Sequence, residues 1–306
     1  MEIIYEGANI TKKVDVQSCV STDTCGDRCD VLDIEFQCSP GWYRWDPKED
    51  DKILVSHGGY DTGIMYVNTI LPEDNKFRII ATSLPCKARS NEWKSFYKKS
   101  ISEIMSVCAS AAGMGQALFG VNGGTVLQYI ERRNESSAKF LSRLLEMEGA
   151  VLKCVNGKFT GIDIAYAQGL PALQTIKFDA EQLNSQYAKL GNALKSITIK
   201  TPKGSGVATD SAVSSSHSHL KLSDGLPIAD SGQAKRWAKG KLMNYNRLCE
   251  SVSIESKFNA GYTAMARIDL KGNTKASGSW LIGEVEHDFI NFSSNATLYR
   301  CITSVS

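Results

Sequence analysis

No run in this chain of 306 residues approaches the roughly 20 consecutive apolar residues that carry a helix across a bilayer. The sequence therefore predicts no membrane anchor. The opening Met1-Glu2-Ile3-Ile4-Tyr5-Glu6-Gly7 lacks the basic region and apolar run of a secretion signal, so a product that stays in the cytosol when made is expected. Charge of one sign is missing too. Thirty-five basic and 33 acidic side chains are dispersed along the chain and leave a net charge of +2, without the concentrated basic face that neutralising phosphates requires. This excludes nucleic acid as the principal partner. Signatures of catalysis are also wanting: there is no Gly-x-Ser-x-Gly elbow, no His-Glu-x-x-His helix and no catalytic Cys-His pattern. Gly120, Gly123 and Gly124 lack the Lys-Ser/Thr ending of a phosphate loop and read as a flexible connection. Neither an enzyme nor a cofactor is indicated.

Nine cysteines is an odd number, which in a reducing compartment points to free, mostly buried thiols rather than a disulfide framework. Cys19, Cys25, Cys29 and Cys38 could supply four thiolates to zinc, but their spacing is not a paired Cys-x-x-Cys, and strand alternation already accounts for Cys38 as a buried hydrophobe. No metal site is expected. His217 and His219 would share one side of a strand, yet their Ser-rich surroundings offer no third ligand. His57, before Gly58-Gly59, reads as a turn residue. Lys235, Arg236, Lys239 and Lys241 fall on a helix whose other face carries Ala234, Trp237, Ala238, Leu242 and Tyr245, which is the pattern of a solvated helix surface. Trp42, Tyr43 and Trp45 could stack on sugars; their place beside Pro40-Gly41 and Asp46-Pro47 equally suits a loop anchored on a core.

What the chain does carry is short, alternating strands. Leu32, Ile34, Phe36 and Cys38 fall on one face while Asp33, Glu35 and Gln37 fall on the other, and further strands follow at 52–56, 63–71 and 76–83. That spacing is typical of a small barrel or sandwich. A helix opens at Ser100 with Glu103 three positions later, a capping-box spacing, and turns Ile101, Ile104, Met105, Cys108 and Ala112 inward before Gly113. Sheet-like runs resume near 173–178 and 194–201, with a Gly/Ser/Thr-rich stretch at 202–218 that reads as either a long exposed loop or, preferably, a mobile twisted hairpin. Asp230 with Gln233 can cap the Trp237 helix, and strands at 251–256, 263–270, 279–289 and 296–304 close the chain. The fold class expected is α+β, mainly β, with two small antiparallel β-barrel domains (1–88 and 170–306, the latter with one long helix) bracketing an α+β insert (89–169).

Residues 129–164 form the most distinctive stretch: a strand, an amphipathic helix capped by Asn134, a stop at Gly149 and a hairpin turned on Asn156-Gly157. Ala138, Leu141 and Leu145 recur at helical spacing, and Phe140, Leu144 and Met147 widen the stripe. In order, Arg133-Asn134-Glu135-Ser136, Phe140-Leu141-Ser142-Arg143-Leu144 and Gly149-Ala150-Val151 resemble the late control protein D family, the tail hub proteins of contractile phages, to which the hub of type VI secretion spike proteins is related. The resemblance extends to 83–113 and to Glu284-Val285-Glu286-His287-Asp288-Phe289, and so covers most of the chain.

Such a resemblance implies a structural baseplate hub: a homotrimer, with two related barrels per subunit, that adapts a sixfold tail tube to a threefold central spike. It implies the tube or its initiator, the spike, the tape measure and the baseplate wedge as partners, with assembly into a tail after synthesis in a bacterial host. Glu284, Glu286 and Asp288 line one strand face, which in a ring could look into the lumen and deter a passing anionic polymer. A cell-wall-binding or hydrolysing component of the same particle is the alternative.

Overall fold

The computed structural model describes residues 1–26, 28–37, 45–73, 75–177, 186–223, 225–272 and 275–306. Cys38, Trp42, Tyr43 and Phe178 lie outside them. The fold is α+β and mainly β. The N-terminal strands are β1 (Glu2–Tyr5), β2 (Ala8–Asn9), β3 (Val16–Thr24), β4 (Val31–Gln37), β5 (Lys52–His57), β6 (Tyr60–Asp61), β7 (Met65–Pro72) and β8 (Lys76–Thr82). The middle holds α1 (Cys86–Arg89), β9 (Glu92–Ser100), α2 (Ile101–Ala112), β10 (Gly115–Phe119), β11 (Val126–Glu135), α3 (Ser137–Met147), β12 (Ala150–Val155), β13 (Lys158–Asp163) and α4 (Ile164–Gly169). There follow β14 (Gln174–Lys177), β15 (Gln186–Lys189), β16 (Ser196–Thr201), β17 (Gly204–Thr209), β18 (His219–Leu222), α5 (Ser231–Arg247), β19 (Glu250–Lys257), β20 (Arg267–Lys271), β21 (Gly278–Asp288) and β22 (Ser293–Arg300).

Alternation decides the N-terminal half. On β4, Leu32, Ile34 and Phe36 are fully buried, while the outward Asp33 and Glu35 pair with Arg78 and Lys76 of the neighbouring β8. Side chains from β1, β3, β4, β5, β7 and β8 meet in one apolar core that includes Ile3, Cys19, Ile53, Val55 and Ile79. Since these strands are consecutive neighbours in a single sheet, one face can enclose a common core only if the sheet curls, which makes this half barrel-like. A second core, with Val252, Ile254, Ile268, Trp280, Ile282 and Leu298, lies within β19 to β22.

The two halves share a sheet. Among the described residues fourteen strands are joined in it, and the link is antiparallel pairing of β3 with β21. The first part of β21 pairs with β20 and the second with β3, so one strand serves both cores. Between Ile282 and Glu284 the register with β22 slips at Gly283, where a Cβ would stand 2.2 Å from the Tyr299 ring. Only glycine fits that close approach.

A third core joins α2, α3, β9, β11 and β12 to segments far away in sequence. Ile197, Ile199, Ala208, Ala234, Trp237 and Leu242 are buried with Ile104, Phe140, Leu144 and Leu152. Grouping by chain order assigns the long helix α5 to the C-terminal β domain; its apolar face instead completes this middle core. The reason is topological. β15 and β19 are sheet neighbours, so residues 190–249 leave the sheet and return to it, covering the middle elements on the way.

Several local expectations hold. Ser100 and Glu103 form a reciprocal capping box on α2, and all five inward residues expected there are buried. Asn156 (φ 47°) and Gly157 (φ 68°) turn the β12–β13 hairpin, and Gly149 (φ 78°) ends the α3 unit. Asp230 accepts the amide of Gln233 at 2.8 Å.

Others are corrected. Asn134 does not cap α3: it sits at φ 47° in a bulge of β11, and the cap is Ser136, whose hydroxyl accepts the Lys139 amide at 3.1 Å. The stretch after Pro202 is a hairpin, but a packed one, because Gly206 lies so close beneath α5 that a Cβ would meet the Lys235 nitrogen at 2.1 Å. The 120–124 connection is tight as well, with Gly120 against the Tyr166 ring. On α5 the basic face is not simply solvated, since Arg236 pairs with Glu148 at 2.7 Å and Lys241 with Glu146 at 2.9 Å, tying α5 to α3.

Candidate functional site

The acidic strand lies in the second half of β21, beside β3. Val285, His287 and Phe289 turn into the cores, as the alternation requires, and the three acids face the other way with different partners. Glu284 pairs with Arg28 at 2.7 Å. Asp288 accepts the amides of Ile290 and Asn291 at 2.9 and 2.8 Å; burial pushes its carboxyl up, but these donors outweigh it and the net shift is down. Of the three, Glu286 alone is both exposed and free of an ion pair among the described residues.

The other side-chain candidates disperse. Cys19 belongs to the N-terminal core, Cys29 packs on the middle core and Cys25 on a small cluster with Val151, Met243 and Leu281; Cys38 lies outside the described residues. His217 bonds the Ala193 carbonyl at 3.1 Å and His219 the Ser196 hydroxyl at 2.7 Å. Among the described residues, no three His, Cys, Asp or Glu side chains come together as metal ligands. His57 is not a turn residue but the last residue of β5, its ring 5.3 Å from Phe258 and 5.0 Å from Phe292. Trp45 packs inward, with ring centroids 4.9 Å from Tyr5 and 5.8 Å from Phe36, so it anchors a loop on the core rather than offering a face to sugars.

The most heavily built polar site is one that periodicity does not find. Lys153 of β12 and the carboxylates of Asp23 (β3) and Asp30 (before β4) are each less than a tenth exposed. The ammonium donates to Asp23, to the Thr24 carbonyl at 3.3 Å and to Asp30 at 3.4 Å. Asp23 also accepts the Thr263 hydroxyl at 2.7 Å and the Ala264 amide at 3.1 Å, while Asp30 accepts the Thr24 amide at 2.9 Å. Burial pulls the lysine pKa down, but attraction to Asp23 and Asp30 overcomes it and the net shift is up. Burial raises the Asp30 carboxyl to about 7 against the pull of Lys153, with the like charge of Asp23 adding to the rise. Segments from all three parts of the chain meet at this cluster, the C-terminal one through Thr263 and Ala264 on Asp23. Nearby, His287 is fully buried, with its Nε2 3.0 Å from the Tyr262 carbonyl and its Nδ1 2.9 Å from the Ser294 hydroxyl. A carbonyl only accepts, so Nε2 carries the proton. Burial lowers the pKa of this imidazole.

No family model matches the sequence, and no curated protein does. Solved structures do. A 43 kDa tail protein of prophage MuSo2 from Shewanella oneidensis superposes with a TM-score of 0.74 at 12% identity, over 98% of this chain and 97% of that one. A tail protein from Neisseria meningitidis gives 0.77 at 10% identity, over 98% and 95%. An Escherichia coli component of the type VI secretion system, described as structurally similar to T4 bacteriophage tail proteins, gives 0.64 at 12% identity, over 99% and 77%. The fold is that of phage tail proteins. The tail-protein fold suggested by the 129–164 stretch is thereby shown.

Within this tail-protein fold, the Lys153 cluster had one signal in the sequence. Val151-Leu152-Lys153-Cys154-Val155 places a lone charge in a strand that is buried on both faces. A lysine there requires a carboxylate partner, but its identity depends on a β3–β21 seam that no local pattern specifies.

Proposed function

We propose that this chain is a structural baseplate hub of a contractile tail or phage-like particle, a homotrimer that adapts a sixfold tail tube to a threefold central spike. The observation that carries the reading is the likeness to tail proteins over nearly the full length of both chains. Two strand-built cores on one sheet support it, because three copies would then offer six such units to a tube. The strand path ends at β2 and β15 among the described residues, and such ends are edges a neighbouring strand can extend. A net charge of +2 opposes ring closure little.

In this role the chain is structural rather than catalytic. It is made in the cytoplasm of a bacterial host and meets the tail tube or its initiator, the spike, the tape measure and the baseplate wedge in the assembled tail. Glu284, Glu286 and Asp288 face the lumen, with Glu286 contributing the uncompensated charge. The test is co-expression with the neighbouring spike gene, followed by light scattering and electron microscopy. A ring of three capped by the spike is expected; a monodisperse monomer indifferent to the spike would refute the hub. In a map of the ring, Glu286 in a dry contact between subunits would refute the lumen assignment alone.

A further inference from the structure

A cleft of about 310 Å³ is lined by the loop after β3, the C-terminal ends of α3 and α5, and the Gly283 bulge. Two acids on its walls already have partners: Glu284 is held by Arg28 and Glu146 by Lys241. Arg247, the last residue of α5, has no carboxylate partner among the described residues. It is 6% exposed, its guanidinium lies 5.9 Å from the Tyr299 ring centroid, and its Nε donates to Asn244 Oδ1 at 3.4 Å. Its two terminal nitrogens have no hydrogen-bond acceptor and no carboxylate partner among the described residues. Arg247 lines the cleft, so these donors stay open to an acceptor that enters it.

We propose that this cleft is a binding site for a carboxylate, gripped through both oxygens by the terminal nitrogens of Arg247. The planar fork of arginine matches a carboxylate in geometry. Charge selects the ligand class: one unmatched cation between two acid-bearing walls balances a single negative charge, whereas a dianionic phosphate would leave a surplus against Glu146 and Glu284. Tyr245 and Leu248, 39% and 43% exposed, and the ring of Tyr299 supply apolar surface for the stem of the acid. An acidic side chain of a partner polypeptide and a small free acid share this chemistry. The assignment holds whether or not the chain forms a ring.

Calorimetric titration of the full chain tests it, with acetyl-Gly-Asp-Gly-amide, its Asn counterpart and acetate as probes. The Asp peptide should bind saturably, and the Asn peptide on the order of tenfold more weakly, the usual worth of a charge-assisted pair. Arg247→Gln should lose a similar factor. Acetate as tight as the Asp peptide would identify a small acid as the sufficient ligand, and weaker acetate would identify a polypeptide. Should Arg247→Gln fail to fold by circular dichroism, Leu248→Glu on the exposed rim sets a competing carboxylate at the mouth and should weaken the Asp peptide several-fold. Equal binding of the Asp and Asn peptides, no saturation by any carboxylate probe, or full affinity in a folded variant overturns the proposal.

Discussion

At the scale of single residues, Lys153 and its two carboxylates hold together segments that are remote in sequence. Replacing the lysine by Met would leave Asp23 and Asp30 buried without a cation, and breaking such a pair from one side costs about 3–5 kcal/mol. Urea denaturation of Lys153→Met should show that loss, while Thr263→Ala, which removes one hydroxyl donor from Asp23, should cost about 1 kcal/mol. Asp30 adds a pH dependence of definite sign. Its folded carboxyl titrates at about 7 and its ordinary value is 3.8, so folding takes up a proton between those values. The contribution is complete below the ordinary value, shrinks as pH rises, and is gone above the folded one. At most roughly 4 kcal/mol is at stake. Comparing Asp30→Asn with the parent from about pH 5 to pH 8, the parent should lose stability relative to the variant as pH rises. Parallel curves would sink the assignment. Taking the difference also removes His287, which is buried and neutral in both proteins and works in the opposite direction, since acid must charge it.

At the scale of elements, what could be read from the sequence is what local stereochemistry decides. The Ser100–Glu103 cap, the Asn156-Gly157 turn and the alternation of β4 each depend on a few neighbouring residues. β9 could not be read in this way. Glu92 to Ser100 buries only Phe96 and exposes Trp93 at 73% and Tyr97 at 65%, so it has no apolar face to recognise. The α3 cap is Ser136 and not Asn134 because Asn suits both an N-cap and a left-handed bulge, and only the pairing of β11 with β9 tells them apart. Two substitutions check the corrected cap by thermal melting. Ser136→Ala should cost about 1 kcal/mol, whereas Asn134→Gly, which keeps the left-handed backbone, should change stability by a few tenths at most. The crossing of α5 over the end of α3 depends on contact that no periodicity reveals: a Cβ on Gly240 would lie 2.3 Å from the Met147 carbonyl and 2.4 Å from the Gly149 nitrogen. Both obstacles are backbone and cannot swing away. Gly240→Ala should therefore destabilise by about 1–3 kcal/mol or more in a denaturant titration, although alanine is the better helix former.

At the scale of the whole molecule, a division at residues 88 and 169 follows chain order, and the packing crosses it. Phe289 of the C-terminal segment lies in the N-terminal core, the Tyr60 ring sits 4.3 Å from that of His287, and Asp23 is bonded to Thr263 and Ala264. Pairing of β3 with β21 runs through the same seam. The proposed hub role would depend on this coupling, because two cores could match two positions of a tube only if the angle between them were fixed, and a shared sheet fixes it where a linker would not. The expected consequence is that the N-terminal segment does not fold alone. A fragment of residues 1–89 lacks Phe289 in its core, Lys153 opposite Asp23 and Asp30, and a neighbour for the free edge of β3. It should give a collapsed amide spectrum by nuclear magnetic resonance and no cooperative melt, while the full chain unfolds in one calorimetric transition. A dispersed spectrum and an independent transition for the fragment would mean that the seam joins two autonomous barrels, leaving their relative orientation to be set by contacts in the assembled ring.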